Sequence, residues 1–199
     1  MAAPTLYYVR HGLTDWNFVG RLQGQHDTTI NDEGRVQAAR SAEILRELFA
    51  RDGRSPDDFD YVSSPLARAR ETMEIVRRGL DLEPAGFRTE PRLAEIAFGE
   101  WEGLTYADVM KRDPDVVNLR EGNKWRFQPP GGESYEQVAQ RVGAWYATVT
   151  KDTVVSAHGG VARALVGLLG IEPREQAAHR AIDQGVIYVF AGKTLARYT

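Results

Sequence analysis

His11 follows Leu6-Tyr7-Tyr8-Val9-Arg10 and precedes Gly12, so an apolar run delivers an arginine and an imidazole directly into a glycine turn. A buried strand with that ending presents both side chains at its carboxyl edge, where open α/β sheets collect ligands. An imidazole placed there can act as a nucleophile, and the arginine beside it is an always-charged fork suited to phosphate oxygens. Three further segments have the same flavour. Ser63-Ser64-Pro65-Leu66-Ala67-Arg68 follows a short apolar strand; Ser64 reads as an N-cap and Pro65 as the first helical residue, which sets Arg68 in a first helical turn that favours anions. Leu93-Ala94-Glu95-Ile96-Ala97-Phe98-Gly99 holds a carboxylate among apolar neighbours, a setting that raises a carboxyl pKa. Thr153-Val154-Val155-Ser156-Ala157-His158-Gly159-Gly160 is a second strand ending in histidine and glycine, roughly 150 residues after the first. Two strands are therefore expected to bring two histidines to one edge.

In this order the segments resemble the signature of the histidine phosphatase superfamily, the phosphoglycerate mutase-like enzymes. The resemblance runs from Arg10 to the Val154–Gly160 strand end and takes in Arg21-Leu22-Gln23-Gly24-Gln25 and Pro129-Pro130-Gly131-Gly132-Glu133-Ser134. It implies that His11 is the nucleophile, that Arg10, Arg68 and His158 form the phosphate pocket, and that Glu95 is the proton donor. Asn17 resembles a phosphate-contacting amide of the family. Gln23, Gly24 and Gly159 complete the candidate substrate-binding positions.

The residue types suit that chemistry. A phosphate monoester carries charges that repel a nucleophile, so cations must be in place first; Arg10 and Arg68 can grip non-bridging oxygens while His158 donates a further hydrogen bond. His11 must be neutral at its attacking nitrogen, which requires the other ring nitrogen to donate to a fixed acceptor such as the Gly12 carbonyl. Glu95 can protonate the leaving alkoxide and then activate water. If an acceptor hydroxyl replaces water, the same site gives a transferase.

Composition narrows the choice. With no cysteine, thiol nucleophiles, disulfides and thiolate metal sites are excluded. A net charge of -3 argues against general affinity for nucleic acid. A metal centre is set aside, because no histidine pair has the short helical spacing of common zinc sites and Arg10 and Arg68 would repel a cation beside His11 and His158. His26 and His179 match no motif. The longest apolar run, Ala164 to Ile171, is too short to span a bilayer. Met1-Ala2-Ala3-Pro4 leads straight toward the first strand without the basic and apolar stretches of a secretory leader, so the expectation is a cytoplasmic enzyme.

The elements that must position these residues alternate along the chain with no linker or repeat, so residues 1–199 read as one domain. After the first strand and a long loop, Ala38, Ala42, Leu45 and Phe49 share one face of a helix from about Asp32 to Ala50, capped by Asn31 or Asp32 and broken at Arg51-Asp52-Gly53-Arg54-Ser55-Pro56. A strand over Asp60–Ser63 and a helix from Pro65 to near Gly79 follow. Phe87–Thr89 suggests a short strand. Thr105 with Asp108 opens a short helix that stops before Pro114, and Ser134 with Gln137 opens one carrying Val138, Val142, Trp145 and Val149 on a single face. Gly160–Gly170 is an apolar helix. Val186–Phe190 and Thr194–Tyr198 around Ala191-Gly192-Lys193 read as a terminal hairpin, with an antiparallel edge as one option. The fold class is α/β: a mostly parallel central sheet covered by helices.

The best clues to the substrate lie between Tyr106 and Gly132. The mutases of the superfamily carry paired arginines after a tryptophan, whereas this chain has Trp125-Arg126-Phe127. That departure points to the phosphatase branch and a small phosphomonoester substrate, with a 2,3-bisphosphoglycerate-dependent phosphoglycerate mutase as the alternative and a phospholigand-binding scaffold as the non-enzymatic one. No cofactor is implied beyond a 2,3-bisphosphoglycerate primer in the mutase case. Lys111, Arg112 and Lys124 are cations that could meet an acidic substrate, the first two reading more simply as a solvated helix end. Leu13 and Pro65 depart from the glutamate and aspartate frequent in the family, at positions without a catalytic group. The oligomeric state is left open.

Overall fold

A computed structural model describes residues 3–199; the leader reading at Met1 and Ala2 lies outside the described residues. Six strands form one sheet in the order β3-β2-β4-β1-β5-β6. Strand β1 is Leu6–Arg10, β2 Asp60–Ser63, β3 Arg88–Thr89, β4 Thr153–Ala157, β5 Ile187–Ala191 and β6 Thr194–Tyr198. Strands β3, β2, β4 and β1 run parallel, while β5 pairs antiparallel with both β1 and β6. The terminal hairpin is thus more than an edge ornament, because β5 pairs directly with β1.

The alternation of side chains along β1 explains why both faces are covered. Leu6 and Tyr8 point into a core shared with Val138, Val142, Trp145, Val161 and Leu165. Tyr7 and Val9 point the other way, against Leu45, Phe49, Met73 and Val76. The first set comes from helices α6 (Tyr135–Tyr146) and α7 (Gly159–Leu168), the second from α2 (Asp32–Arg51) and α3 (Ala67–Gly79). All five residues of β4 are buried, which is why Thr153-Val154-Val155-Ser156-Ala157 lacks a polar face. Each fully buried Val or Leu of this kind contributes about 1.5–3 kcal/mol.

Capping residues set the helix starts. Asn31 accepts from the Gly34 amide to open α2, and Ser134 with Gln137 forms the expected capping box of α6. Thr105 with Asp108 does the same for α4 (Tyr106–Arg112). Three helices were not anticipated. Helix α1 (Asp15–Phe18) lies in what reads as a long loop, held by a Thr14–Asn17 capping box. Helix α5 (Pro114–Gly122) begins at the proline that ends α4, since proline suits a first helical position, and α8 (Arg174–His179) follows α7. These helices are short, and their apolar periodicity is too brief to stand out in sequence.

The helix after β2 begins later than expected. Its first residue is Ala67, and Leu66 precedes it in extended conformation without a side-chain cap. Ser64 is therefore not its N-cap. The Ala67 amide donates instead to Asp27 Oδ1 at 2.7 Å, a partner 40 residues away in sequence. Among the described residues no helix is long and apolar enough to cross a membrane.

Candidate active site

Parallel pairing of β1 with β4 sets Arg10 opposite Ala157, so the residues that follow, His11 and His158, leave neighbouring strands side by side. Their ring centroids lie 5.1 Å apart, and both side chains are buried. The His11 amide continues the ladder by donating to the Ala157 carbonyl at 2.9 Å. The His11 ring places Nδ1 2.8 Å from the Gly12 carbonyl, as the turn after the strand suggests. With Nδ1 donating there, Nε2 is the lone-pair nitrogen. Burial, then Arg10 and Arg68, pushes the His11 pKa well below its ordinary value, keeping the ring neutral around pH 7.

The turn needs glycine for space. A β-carbon on Gly12 would lie 2.2 Å from the Gly34 carbonyl oxygen, because the start of α2 crosses directly over it. The Gly12 amide donates to Thr72 Oγ1, and that hydroxyl donates to the Arg68 carbonyl one helical turn back. The His11–Gly12 turn and the helix of Arg68 are thus tied by one hydroxyl.

Arg68 is fully buried, and its two terminal nitrogens donate to the carbonyls of His26 and Gly24 at 2.9 and 2.7 Å. Arg10 donates through one terminal nitrogen to the Ile182 carbonyl at 2.6 Å. In both arginines Nε is buried and has no partner in the protein. His158 has the same character: Nε2 is 2.7 Å from Ser64 Oγ, and Nδ1 is buried without a protein partner. Ser64 Oγ accepts from the Leu66 amide, so its own proton is free for His158 Nε2. In the tautomer where Ser64 gives that proton, the ring proton sits on Nδ1 and His158 is a neutral donor. Burial and the nearby Arg68 push its pKa well below the usual histidine value. The Tyr8 hydroxyl fixes the backbone of His158 by donating to its carbonyl and accepting from its amide.

Glu95 reaches the same cavity, but its setting differs from the apolar one that its sequence neighbours suggest. It is half-buried; Oε1 accepts from the Ile96 amide at 2.9 Å and Oε2 from the Gly160 amide at 3.2 Å. Ile96 turns into the core instead of enclosing the carboxylate. A β-carbon on Gly160 would lie 2.3 Å from Glu95 Oε1, so the glycine is what lets the carboxylate approach α7.

A cavity of about 150 Å³ is lined by Arg10, His11, Asn17, Gln23, Gly24, Arg68, Glu95 and Gly159, together with Arg21, Leu22, Phe98 and Arg163. Every candidate from the sequence is here or, for His158, directly beside it. Asn17 Oδ1 is occupied within the turn, accepting from Thr14 and from Gln184 Nε2. Gln23 Oε1 accepts from the Thr14 and Thr28 hydroxyls, which fixes its amide. Gly24 has a φ of +53° and offers its carbonyl to Arg68.

Tyr8, Ser64, Thr72, Arg163 and Gln184 belong to the site and were missed. Thr72 had a legible signal, standing four residues after Arg68 on one helical face. Gln184, which donates to the His11 carbonyl at 3.0 Å, comes from a loop 173 residues away and had none. His26, matched to no motif, stacks on Trp16 at 4.7 Å and lends its carbonyl to Arg68.

The model of the histidine phosphatase superfamily (branch 1) matches residues 6–194. The chain belongs to that superfamily. It is 35% identical over 185 residues to the glucosyl-3-phosphoglycerate phosphatase of Mycobacterium tuberculosis, covering 85% of this chain and 76% of the relative. It is 33% identical to phosphoglycerate mutase-like protein 4 of Arabidopsis thaliana, covering 79% and 67%. The solved mycobacterial glucosyl-3-phosphoglycerate phosphatase superposes with a TM-score of 0.79 at 30% identity, covering 94% of this chain and 89% of that one. The superfamily member described here is accordingly an enzyme of the phosphoglycerate mutase-like fold, with phosphatases among its curated relatives.

Proposed function

We propose that this enzyme hydrolyses small phosphomonoesters through a phosphohistidine at His11, without a metal ion. The observation that carries the reading is the convergence of three buried donors lacking protein partners, Arg10 Nε, Arg68 Nε and His158 Nδ1, beside a neutral imidazole with one nitrogen tied down. An unsatisfied buried donor costs about 1–3 kcal/mol, so three at one spot form a site built for an oxyanion. In the first step His11 Nε2 attacks phosphorus, the P–O ester bond breaks, and Glu95 gives its proton to the departing alkoxide. In the second step Glu95 takes a proton from water, the water oxygen attacks phosphorus, the P–N bond breaks, and inorganic phosphate leaves. The two arginines and His158 stabilise the equatorial oxygens in both steps, a task a metal performs in other phosphotransferases.

Water is the acceptor favoured by the region after Tyr106. Arg126, the single arginine after Trp125, is exposed and lies 3.7 Å from Glu136. It contributes no second cation to the cavity. The phosphatase relatives agree with hydrolysis, and we carry over from them only the class of substrate, a small phosphorylated metabolite. All residues that the chemistry requires are present, which argues against a non-catalytic scaffold.

The test is covalent capture. Intact mass spectrometry of a rapidly quenched reaction with p-nitrophenyl phosphate in excess chelator should show one added phosphoryl group on the wild type and none on His11→Ala. Turnover by His11→Ala should drop by about a thousandfold or more. Turnover within about a tenth of wild type, or hydrolysis abolished by the chelator, would refute the reading.

A further inference from the structure

Tyr8 of β1 and Tyr188 of β5 are antiparallel cross-strand partners, both fully buried, and their side chains enter the same core, the one shared with α6 and α7. Their hydroxyls repeat one arrangement: each accepts from the amide of a single residue and donates to an oxygen of that same residue. The Tyr8 hydroxyl takes the His158 amide at 3.0 Å and gives its proton to the His158 carbonyl at 2.6 Å. The Tyr188 hydroxyl takes the Asp183 amide at 2.9 Å and gives its proton to Asp183 Oδ2 at 3.3 Å. Burial pushes the Tyr8 pKa well above its ordinary value, so this phenol keeps the proton it donates.

The two clamped residues are placed to aim the floor of the cavity. His158 stands where the backbone turns from β4 into α7, and its Nδ1 is one of the buried donors without a protein partner. Asp183 lies between Ile182, whose carbonyl takes an Arg10 terminal nitrogen at 2.6 Å, and Gln184, whose side-chain amide donates to the His11 carbonyl at 3.0 Å. Arg197 Nε anchors the same Asp183 carboxylate from β6 at 3.0 Å. One clamp therefore sets His158, and the other sets the loop that holds Arg10. Neither phenol lines the cavity. Phenylalanine at either position would keep the ring and its packing but leave a buried amide without a partner, a cost relieved by a shift of the backbone that carries it. Hydrogen bonds weaken steeply with misalignment, so a small displacement of His158 Nδ1 or Arg10 Nε is felt in the rate.

We infer that Tyr8 and Tyr188 are positioning residues for phosphoryl transfer, Tyr8 acting through His158 and Tyr188 through Arg10. The inference rests on the phosphatase reading and adds to it two residues that do not meet the substrate. It also gives the antiparallel strand β5 a task in the reaction besides closing the core.

Paired backgrounds test each role. Tyr8→Phe should lower kcat with p-nitrophenyl phosphate, and the affinity for orthovanadate as a mimic of the trigonal-bipyramidal transition state, by about tenfold each. In a His158→Gln background the same substitution should cost less than about twofold, because the group it positions is gone. Tyr188→Phe should likewise cost about tenfold alone and less than about twofold in an Arg10→Ala background. A tyrosine that only packs the core would lower the melting temperature and cost the same in both backgrounds. Equal costs in the two backgrounds, or no cost in the wild type, would overturn the role of that tyrosine, and the Tyr188 comparison carries the test if Tyr8→Phe does not fold. Vanadate binding is read by calorimetry and needs no turnover. Wild-type enzyme that binds vanadate but forms no phosphohistidine would sink the phosphatase reading alone, whereas wild type that binds no vanadate would sink both.

Discussion

The floor of the cavity and the segment that rises over it are built by different means. Arg68, His11 and His158 are buried at the carboxyl edge of the sheet, and Arg10 lies beside them with a buried Nε. Every one of these side chains is held by a backbone carbonyl or a buried hydroxyl. The segment from Phe98 to Gly132 rests on a small core of its own, Trp101, Val109 and Val117, and the ion pairs of Arg112 lie on its surface. A rigid floor costs no reorganisation when charge develops on the phosphoryl group, whereas a wall with its own small core can change its exposed side chains without disturbing the sheet. The floor is thus fixed by the packing of the whole domain, and the segment above it by a small core of its own.

Substitutions in the two regions should therefore differ in kind. Beyond the loss of the nucleophile itself, the largest effect is expected from Glu95→Gln with an alkyl phosphate, where the poor leaving group depends on a proton: kcat should fall by about a hundredfold. With p-nitrophenyl phosphate the same variant should lose less than about tenfold, because that leaving group hardly needs protonation. Equal losses on both esters, with release of phosphate from the enzyme shown to be fast, would mean that Glu95 shapes the cavity without transferring a proton.

A smaller effect lies in the acid stability of the floor. His11 and His158 are neutral in the fold, with pKa values depressed well below those of an unfolded chain. Below about pH 6.5 the unfolded chain binds more protons, so stability is present above that pH and declines as pH falls toward the folded-state values. Each ring contributes a slope of up to about 1.4 kcal/mol per pH unit. Urea unfolding of the ligand-free enzyme between pH 7.5 and 5.5 should show this decline, and His158→Gln should make it distinctly shallower. An unchanged slope would show that His158 does not bury a neutral ring.

The smallest effect belongs to the wall. Arg112 pairs with Asp113 at 2.7 Å and lies 3.9 Å from Glu100, with 41% of its side chain exposed. Arg112→Ala should shift stability by less than about 0.5 kcal/mol and leave hydrolysis of p-nitrophenyl phosphate unchanged, as read by thermal melting and steady-state rates. A loss of several kcal/mol would erase the distinction between the two regions.

Strands β1, β2, β4 and β5 were legible because β-branched and aromatic residues dominate them, and the long helices because their apolar spacing and capping residues agree. Short α1, α5 and α8 carry too few turns for a period, and Ser64 looked like a cap because a serine before a proline usually is one. The residue types of the site, two histidines after strands, an arginine in a first helical turn and a glutamate before a glycine turn, were determined by the sequence alone. Local geometry also fixed the Gly12 carbonyl as the partner of His11, since it lies one residue away. Only the tertiary structure decided that Ser64 orients His158, that Glu95 rests on backbone amides, and that Arg163 and Gln184 enter the site. Those relations join residues 65 to 173 positions apart in sequence, where nothing local constrains them and only the parallel pairing of β1 with β4 and the seating of α7 bring them together.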